Sequence, residues 1–169
     1  LYRAGGVSGI GSLRNVKVSR GGQTVATVDV YQFIMQGKTR DDIRLEEGDV
    51  IIVPAYEELV QITGNVKRPM RYEMKKGETL STLLKYAGGF TSDAYTKSLR
   101  IVRQNGKEYQ VNTVDDTDYS VCQLHDGDVI TAEAILDRFT NKLEVRGAVY
   151  RPGIYELGGK LNTVRELVE

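Results

Sequence analysis

The sequence repeats itself, and that repeat limits what the chain can fold into more than any single motif does. Gly64-Asn-Val-Lys-Arg-Pro-Met-Arg-Tyr-Glu73 lies on Gly147-Ala-Val-Tyr-Arg-Pro-Gly-Ile-Tyr-Glu156 with a shift of 83 residues (147 − 64). Ala87-Gly88-Gly89 lies on Ala4-Gly5-Gly6 with the same shift, and Leu124-His-Asp-Gly-Asp128 on Leu45-Glu-Glu-Gly-Asp49 with a shift of 79 (124 − 45). Self-similarity at a fixed period makes each unit one supersecondary package with copies on either side. Units of about 80 residues sit near the lower limit for an independent core. The 169 residues therefore predict about two units' worth of chain.

Within a unit, hydrophobic spacing sets the elements. Val16 to Arg20 alternates apolar and polar residues as a half-buried strand does, Gly21-Gly22 supplies a turn, and Thr24 to Val28 returns. Asp29 stands where it can cap a helix from Val30 to Gln36, with Val30, Phe33 and Ile34 on the apolar face and Gly37 at the end. The continuous run Val50-Ile-Ile-Val53 before Pro54 predicts a strand buried on both faces. Further on, Val60, Ile62 and Val66 share one strand face, and Gly64 marks a bulge or a close backbone approach. Arg68-Pro69 predicts an extended corner, Met70 to Met74 the returning strand, and Thr79 the cap of a helix bearing Leu80, Leu83, Leu84 and Ala87. Leu99 to Arg103 and Glu108 to Thr113 flank Asn105-Gly106, a hairpin turn, and Asp115 to Asp118 replaces the helix of the first copy with a turn. The last copy carries a hairpin around Arg151-Pro152-Gly153 and a helix from Thr163.

A mixed sheet gripping one helix per unit predicts an α+β fold of tandem β-grasp (ubiquitin-like roll) units. Residues 1–56 read as the C-terminal half of one unit, 57–141 as a complete unit and 142–169 as the N-terminal half of a further one. That last half is expected to complete 1–56, either within one chain or by swapping between chains. Leu1 is not an initiator methionine and the chain opens in mid-motif, as a piece of a longer protein would. No stretch reads as a signal peptide or as a membrane span, which needs about 18 apolar residues.

Composition narrows function. The 23 basic and 23 acidic residues cancel, so no electrostatic footprint for nucleic acid or an anionic membrane is expected. One cysteine and one histidine leave no material for a disulfide, a zinc site or a thiol–imidazole pair. Cys122 reads as a small buried hydrophobe and His125 as a surface residue. Asp115, Asp116 and Asp118 read as turn residues, Asp41-Asp42 as loop solvation, and Gly158-Gly159-Lys160-Leu161 lacks the spacing of a phosphate loop. No catalytic constellation, metal site or cofactor is predicted.

The pattern Gly-x-Val-x-Arg-Pro-x-x-Tyr-Glu, then Thr-Leu-Ser-Thr-Leu-Leu-Lys-Tyr-Ala-Gly-Gly, then Leu-x-x-Gly-Asp-Val-Ile resembles the SLBB (soluble ligand-binding β-grasp) family. Tandem copies are similar to those of the Wza-like outer-membrane polysaccharide export proteins, and Phe33 to Pro54 looks like the end of one such copy. The sequence departs from the pattern at Met70, which stands where Gly153 follows proline in the other copy. The family's export domain, lipid-anchored cysteine and spanning helix have no counterpart here. The resemblance implies a non-enzymatic segment of a capsule or exopolysaccharide export protein on the periplasmic side of the bacterial outer membrane. Its implied partners are polysaccharide, other copies of itself and other export-machinery proteins, with no membrane contact from this segment. A small-molecule-binding SLBB module is the alternative; a deep pocket with convergent polar groups would favour it, and a flat interface would favour the scaffold.

Repeated polar residues are the candidate contacts. Arg68 and Arg151 stand at matching corners, and Arg20 and Arg103 at matching strand ends. An arginine fork suits carboxylates, acidic sugars included, although it equally ties down its own corner by bonding a carbonyl or a nearby acid. Tyr150, opposite Val149, can stack on a sugar ring or a neighbouring subunit, and Lys67 adjoins Arg68. The candidate glycan or partner contacts are thus Lys67, Arg68, Arg103, Tyr150 and Arg151.

Overall fold

The computed structural model describes residues 2–38, 42–159 and 162–168, so Asp41 and the Lys160-Leu161 pair fall outside the described residues. The chain divides into two compact units, Leu1–Ile135 and Leu136–Glu169. The architecture is α+β, with short helices and mixed sheets.

The first unit holds two sheets. Strands β1 (Val16–Arg20), β2 (Gln23–Val28) and β3 (Val50–Ile52) form an antiparallel sheet in the order β2-β1-β3. Strands β4 (Glu58–Gly64), β5 (Met70–Met74), β6 (Ser98–Gln104), β7 (Tyr109–Asp115) and β8 (Val129–Ala132) form a five-stranded sheet in the order β5-β4-β8-β6-β7. Its centre is the parallel pair β4–β8, with Gln61 opposite Val129 and Ile62 opposite Ile130. Helix α2 (Leu80–Tyr86) lays Leu80, Leu83 and Leu84, followed by Ala87, into one core with Val60, Ile62, Tyr72, Leu99, Ile101 and Ile130. Full burial of each such aliphatic side chain contributes about 1.5–3 kcal/mol. This core holds the sheet and helix together. Among the described residues no helix is long and apolar enough to cross a membrane.

Three expectations need correction. Thr79 makes no side-chain capping bond. The free N–H groups of Leu80 and Ser81 instead donate to the carbonyls of Cys122 and Tyr119, so a neighbouring loop does the capping. Helix α1 (Val30–Gln36), capped by Asp29 as expected, leaves Phe33 and Ile34 exposed. It turns Tyr31 and Met35 to the core, because the Tyr31 ring meets the edge of Tyr86 at 5.3 Å and lies beside the Arg14 guanidinium. Strand β3, expected to be buried on both faces, is exposed along its whole length, because it pairs with β1 alone. The Asp116–Asp118 stretch is a single 3-10 turn, as the missing helix implied. Cys122 is half-buried and packs against the core, and burial pushes its thiol up from the ordinary range.

The second unit contains β9 (Lys142–Val145) and β10 (Gly153–Glu156), an antiparallel hairpin, followed by α3 (Val164–Val168).

Candidate contact surface at the hairpin corners

The β4–β5 hairpin ends in a corner whose backbone is tied down and whose Lys67 and Arg68 side chains are exposed. Gly64 has φ +81°, and a β-carbon there would sit 2.1 Å from the Ala132 carbonyl oxygen, so only glycine fits. Beyond it the Lys67 amide donates to Gly89 O (3.0 Å) and the Arg68 amide to Ala87 O (2.9 Å). The Tyr72 hydroxyl donates to Arg68 O at 2.9 Å. The Lys67 and Arg68 side chains remain exposed, with Arg68 Nη2 at 3.9 Å from Met35 Sδ.

The β9–β10 hairpin reproduces the same corner. The Tyr155 hydroxyl donates to Arg151 O at 2.6 Å, as Tyr72 does to Arg68. Tyr150 is fully exposed and Arg151 is exposed. Both border an open hollow of about 640 Å³ lined also by Val145, Val149, Tyr155 and Leu167.

Arg103 is placed differently from the other four candidates. Its Nε and Nη2 bind the two oxygens of Asp128 at 2.8 and 2.7 Å, and Nη2 also reaches Gln123 O at 3.1 Å. Arg20 makes the same fork on Asp49, at 2.8 and 2.9 Å, with Nη2 on Arg44 O at 3.3 Å. In both copies the aspartate also accepts a backbone N–H three residues back, from Glu46 or His125. These arginines thus tie the Gly-Asp loop to the end of the sheet. Hydrogen bonding from Arg20 and then from the Glu46 amide holds the Asp49 carboxyl down at about 2.

No local pattern in the sequence marks the side chain of Arg14, which binds three other residues. Arg14 is buried, and its guanidinium binds Asp29, the Glu78 carboxylate at 2.9 Å and Glu73 O at 3.2 Å, while facing the rings of Tyr31 and Tyr86. Burial alone would lower its pKa, but the hydrogen bonds it donates to Glu78 and Asp29 outweigh that and raise it. Burial likewise pushes the Tyr86 hydroxyl, which donates to Glu78 at 2.9 Å, up to about 12. The Glu73 carboxylate accepts from the Ser12 hydroxyl and from the Leu13 amide at 2.7 Å. Hollows of about 320 and 300 Å³ flank this cluster. Its partners are up to 64 residues apart, so neither spacing nor periodicity announces it.

No group of three or more His, Cys, Asp or Glu side chains suited to a metal ion occurs among the described residues. In the Arg14 cluster Asp29 and Glu78 are paired with cations, and the Glu73 carboxylate is held by the Ser12 hydroxyl and the Leu13 amide. Chemically, the exposed corners offer cationic and aromatic surface suited to recognition rather than bond-making.

Part of the chain is similar to known proteins. Residues 59–112, which span β4 to the middle of β7 and include both the Lys67–Arg68 corner and Arg103, match the family model of the SLBB domain. Two Escherichia coli proteins, each named polysialic acid transport protein KpsD, are 31% identical to this chain over 84 residues. The aligned stretch covers 50% of this chain and 15% of either relative, so the chain spans a small part of their length. The family match thus covers one domain within the chain, and the similarity to the transport proteins covers half of it.

Proposed function

We propose that this chain is a non-enzymatic segment of a polysaccharide export protein, built of tandem β-grasp SLBB units that act as scaffold on the periplasmic side of a bacterial outer membrane. One observation carries the reading: a complete five-stranded unit with SLBB character, alongside similarity to a polysialic acid transport protein. Arg20 is paired with Asp49 and Arg103 with Asp128, while the side chains of Lys67, Arg68, Tyr150 and Arg151 are exposed at the hairpin corners. In this reading Lys67, Arg68, Tyr150 and Arg151 meet the glycan or neighbouring machinery. Arg103 supports them by holding the loop at Asp128. Two cations at one corner suit a carboxylated polymer, and Tyr150 supplies a ring face on which a sugar can stack.

The test is titration of the full chain with polysialic acid and, in parallel, with a neutral dextran, followed by amide chemical shifts. Shifts concentrated at residues 65–69 and 148–152, produced by the acidic polymer and removed by salt, are expected. Lys67→Ala with Arg68→Ala should abolish the first set while leaving the unfolding midpoint unchanged, since both side chains are exposed. Equal shifts with dextran, or shifts gathered around Glu73 and the two hollows beside it, would contradict the acidic-glycan reading and favour a small-molecule site.

A further inference from the structure

The two edges of the five-stranded sheet differ. On β5 the outward amide of Glu73 donates to the Tyr31 hydroxyl at 3.0 Å, and the outward carbonyl accepts from Arg14 Nη1 at 3.2 Å. On β7 the side-chain bonds to the backbone stop at the turn, where Asn105 Oδ1 accepts from the Lys107 and Glu108 amides. The two ends of the β6–β7 ladder fix which way the β7 backbone faces. Asn105 N donates to Glu108 O at 3.1 Å, and Asp116 N to Lys97 O at 2.9 Å. Bonded and unbonded pairs alternate along an antiparallel ladder. Arg103–Gln110, Ile101–Asn112 and Leu99–Val114 are therefore the bonded pairs, and the amides and carbonyls of Tyr109, Val111 and Thr113 point away from β6.

Proteins blunt such an edge with bulges, prolines or lysines, because a regular one is a template for another strand. Strand β2, which follows Arg20 as β7 follows Arg103, is blunted in this way. Its register with β1 jumps from Val18–Ala26 to Ser19–Thr24 and leaves Val25 unopposed. Strand β7 carries none of these devices. Its seven pairs with β6 run without a shift, and Tyr109 to Asp115 contain neither proline nor lysine. Tyr109 is 71% and Val111 61% exposed, and Thr113 is exposed on the same face.

We propose that two copies of this chain pair through β7, antiparallel and about a two-fold axis at Val111, so that their five-stranded sheets run on into each other. Val111 then faces Val111 of the other copy, and Tyr109 faces Thr113. Every outward amide and carbonyl from Tyr109 to Thr113 finds its partner, and these main-chain bonds supply the affinity. Charge sets the register and makes the strand complementary to itself. At both ends the exposed Lys107 of one copy meets the exposed Asp115 of the other. A slip of two residues one way sets Glu108 against Asp116, like charges; the other way it sets Thr113 against the turn at Lys107. A slip of one residue sets outward amides against residues that face β6. The contact is one strand long, which places it in the weak, concentration-dependent class. The pairing is independent of the polysaccharide reading.

Sedimentation equilibrium of the full chain tests it, with an average mass that rises from one copy toward two as concentration increases. Val111→Lys sets two cations against each other on the axis and should weaken association by at least about tenfold. Lys107→Glu should weaken it as well, and adding Asp115→Lys to that variant should restore it. All three positions are exposed, so circular dichroism should show each variant folded. Cross-linking reads the register in a Cys122→Ser background. Val111→Cys should give a disulfide-linked dimer on oxidation, because bonded antiparallel partners lie about 5.5 Å apart at Cα. Thr113→Cys alone should give little, its own copies lying about 13 Å apart along the strands. Thr113→Cys mixed with Tyr109→Cys should link. A mass of one copy at every concentration, association that Val111→Lys leaves unchanged, or a Thr113→Cys link as strong as that of Val111→Cys overturns the proposal.

Discussion

Ile130 and Ile51 hold the same place in the repeat, 79 residues apart (130 − 51), and they meet opposite surroundings. Ile130 lies between β4 and β6 with helix α2 packed above it, and is fully buried. Ile51 has a neighbouring strand on one side only. The local backbone is the same in both copies, down to the arginine fork on the preceding Gly-Asp loop. Strand formation is therefore written into each half of the repeat, while core formation needs both halves. This is what a unit near the minimum size for a hydrophobic core should show.

The comparison can be broken most directly by truncation. Ile130→Ala should destabilise the first unit by about 2–5 kcal/mol in urea unfolding, through lost transfer energy plus a cavity. Ile51→Ala in dilute protein should change stability by less than about 0.5 kcal/mol. Similar losses at both sites would show that the β3 edge is already buried in the single chain. Arg14 and Lys97 make a second pair of equivalent positions (97 − 14 is the 83-residue shift) with opposite burial. Arg14→Ala removes the guanidinium shared by Asp29 and Glu78, leaving Asp29 with Lys75 and Glu78 with the Tyr86 hydroxyl, and should cost about 3 kcal/mol. Lys97→Ala removes an exposed ion pair with Asp116 and should leave the unfolding midpoint where it was.

Glycine gives a finer contrast. Gly64→Ala adds a left-handed backbone cost of about 1–2 kcal/mol to a collision with the Ala132 carbonyl. Gly147→Ala carries the backbone cost alone, so equal effects at the two positions would break the distinction. The smallest effect is expected in acid. The Asp49 carboxyl is held at about 2 in the folded chain, below its ordinary 3.8, chiefly by the Arg20 hydrogen bonds. Folding thus releases protons in this window, and the stabilisation is fully present above the ordinary value and lost as pH falls toward 2. Urea midpoints measured across that window should fall, and Asp49→Asn should flatten the slope. An unchanged slope would remove Asp49 from the account.

Much of this fold was legible because the local rules agree with one another. The spacing of Val60, Ile62 and Val66, the Asn105-Gly106 turn, and the Asp29 to Gly37 span of α1 all act within a few residues. What was not legible depends on distant neighbours. Which face of α1 turns inward is decided by Tyr31 meeting Arg14 and Tyr86, not by the apolar character of Phe33 and Ile34. The continuous run at β3 has the composition of a central strand, and only its pairing partners make it an edge. The candidate contacts were chosen as repeated positions, and the structure leaves four of the five exposed. That Arg103 grips Asp128 was not read from the shared Gly-Asp motif, and the Arg14 cluster had no sequence signal at all.

Amide hydrogen exchange compares the complete and the divided copy residue by residue. In the complete copy the Gln61 and Asn65 amides donate to the carbonyls of Asp128 and Ala132, each at 2.9 Å. Their counterparts, Glu144 and Ala148, lie on the open side of the β9–β10 hairpin, where β9 pairs with β10 alone among the described strands. Gln61 and Asn65 should be protected, while Glu144 and Ala148 exchange freely in dilute protein. Protection of Glu144 and Ala148 as strong as that of Gln61 and Asn65 would contradict the claim that core formation needs both halves of the repeat.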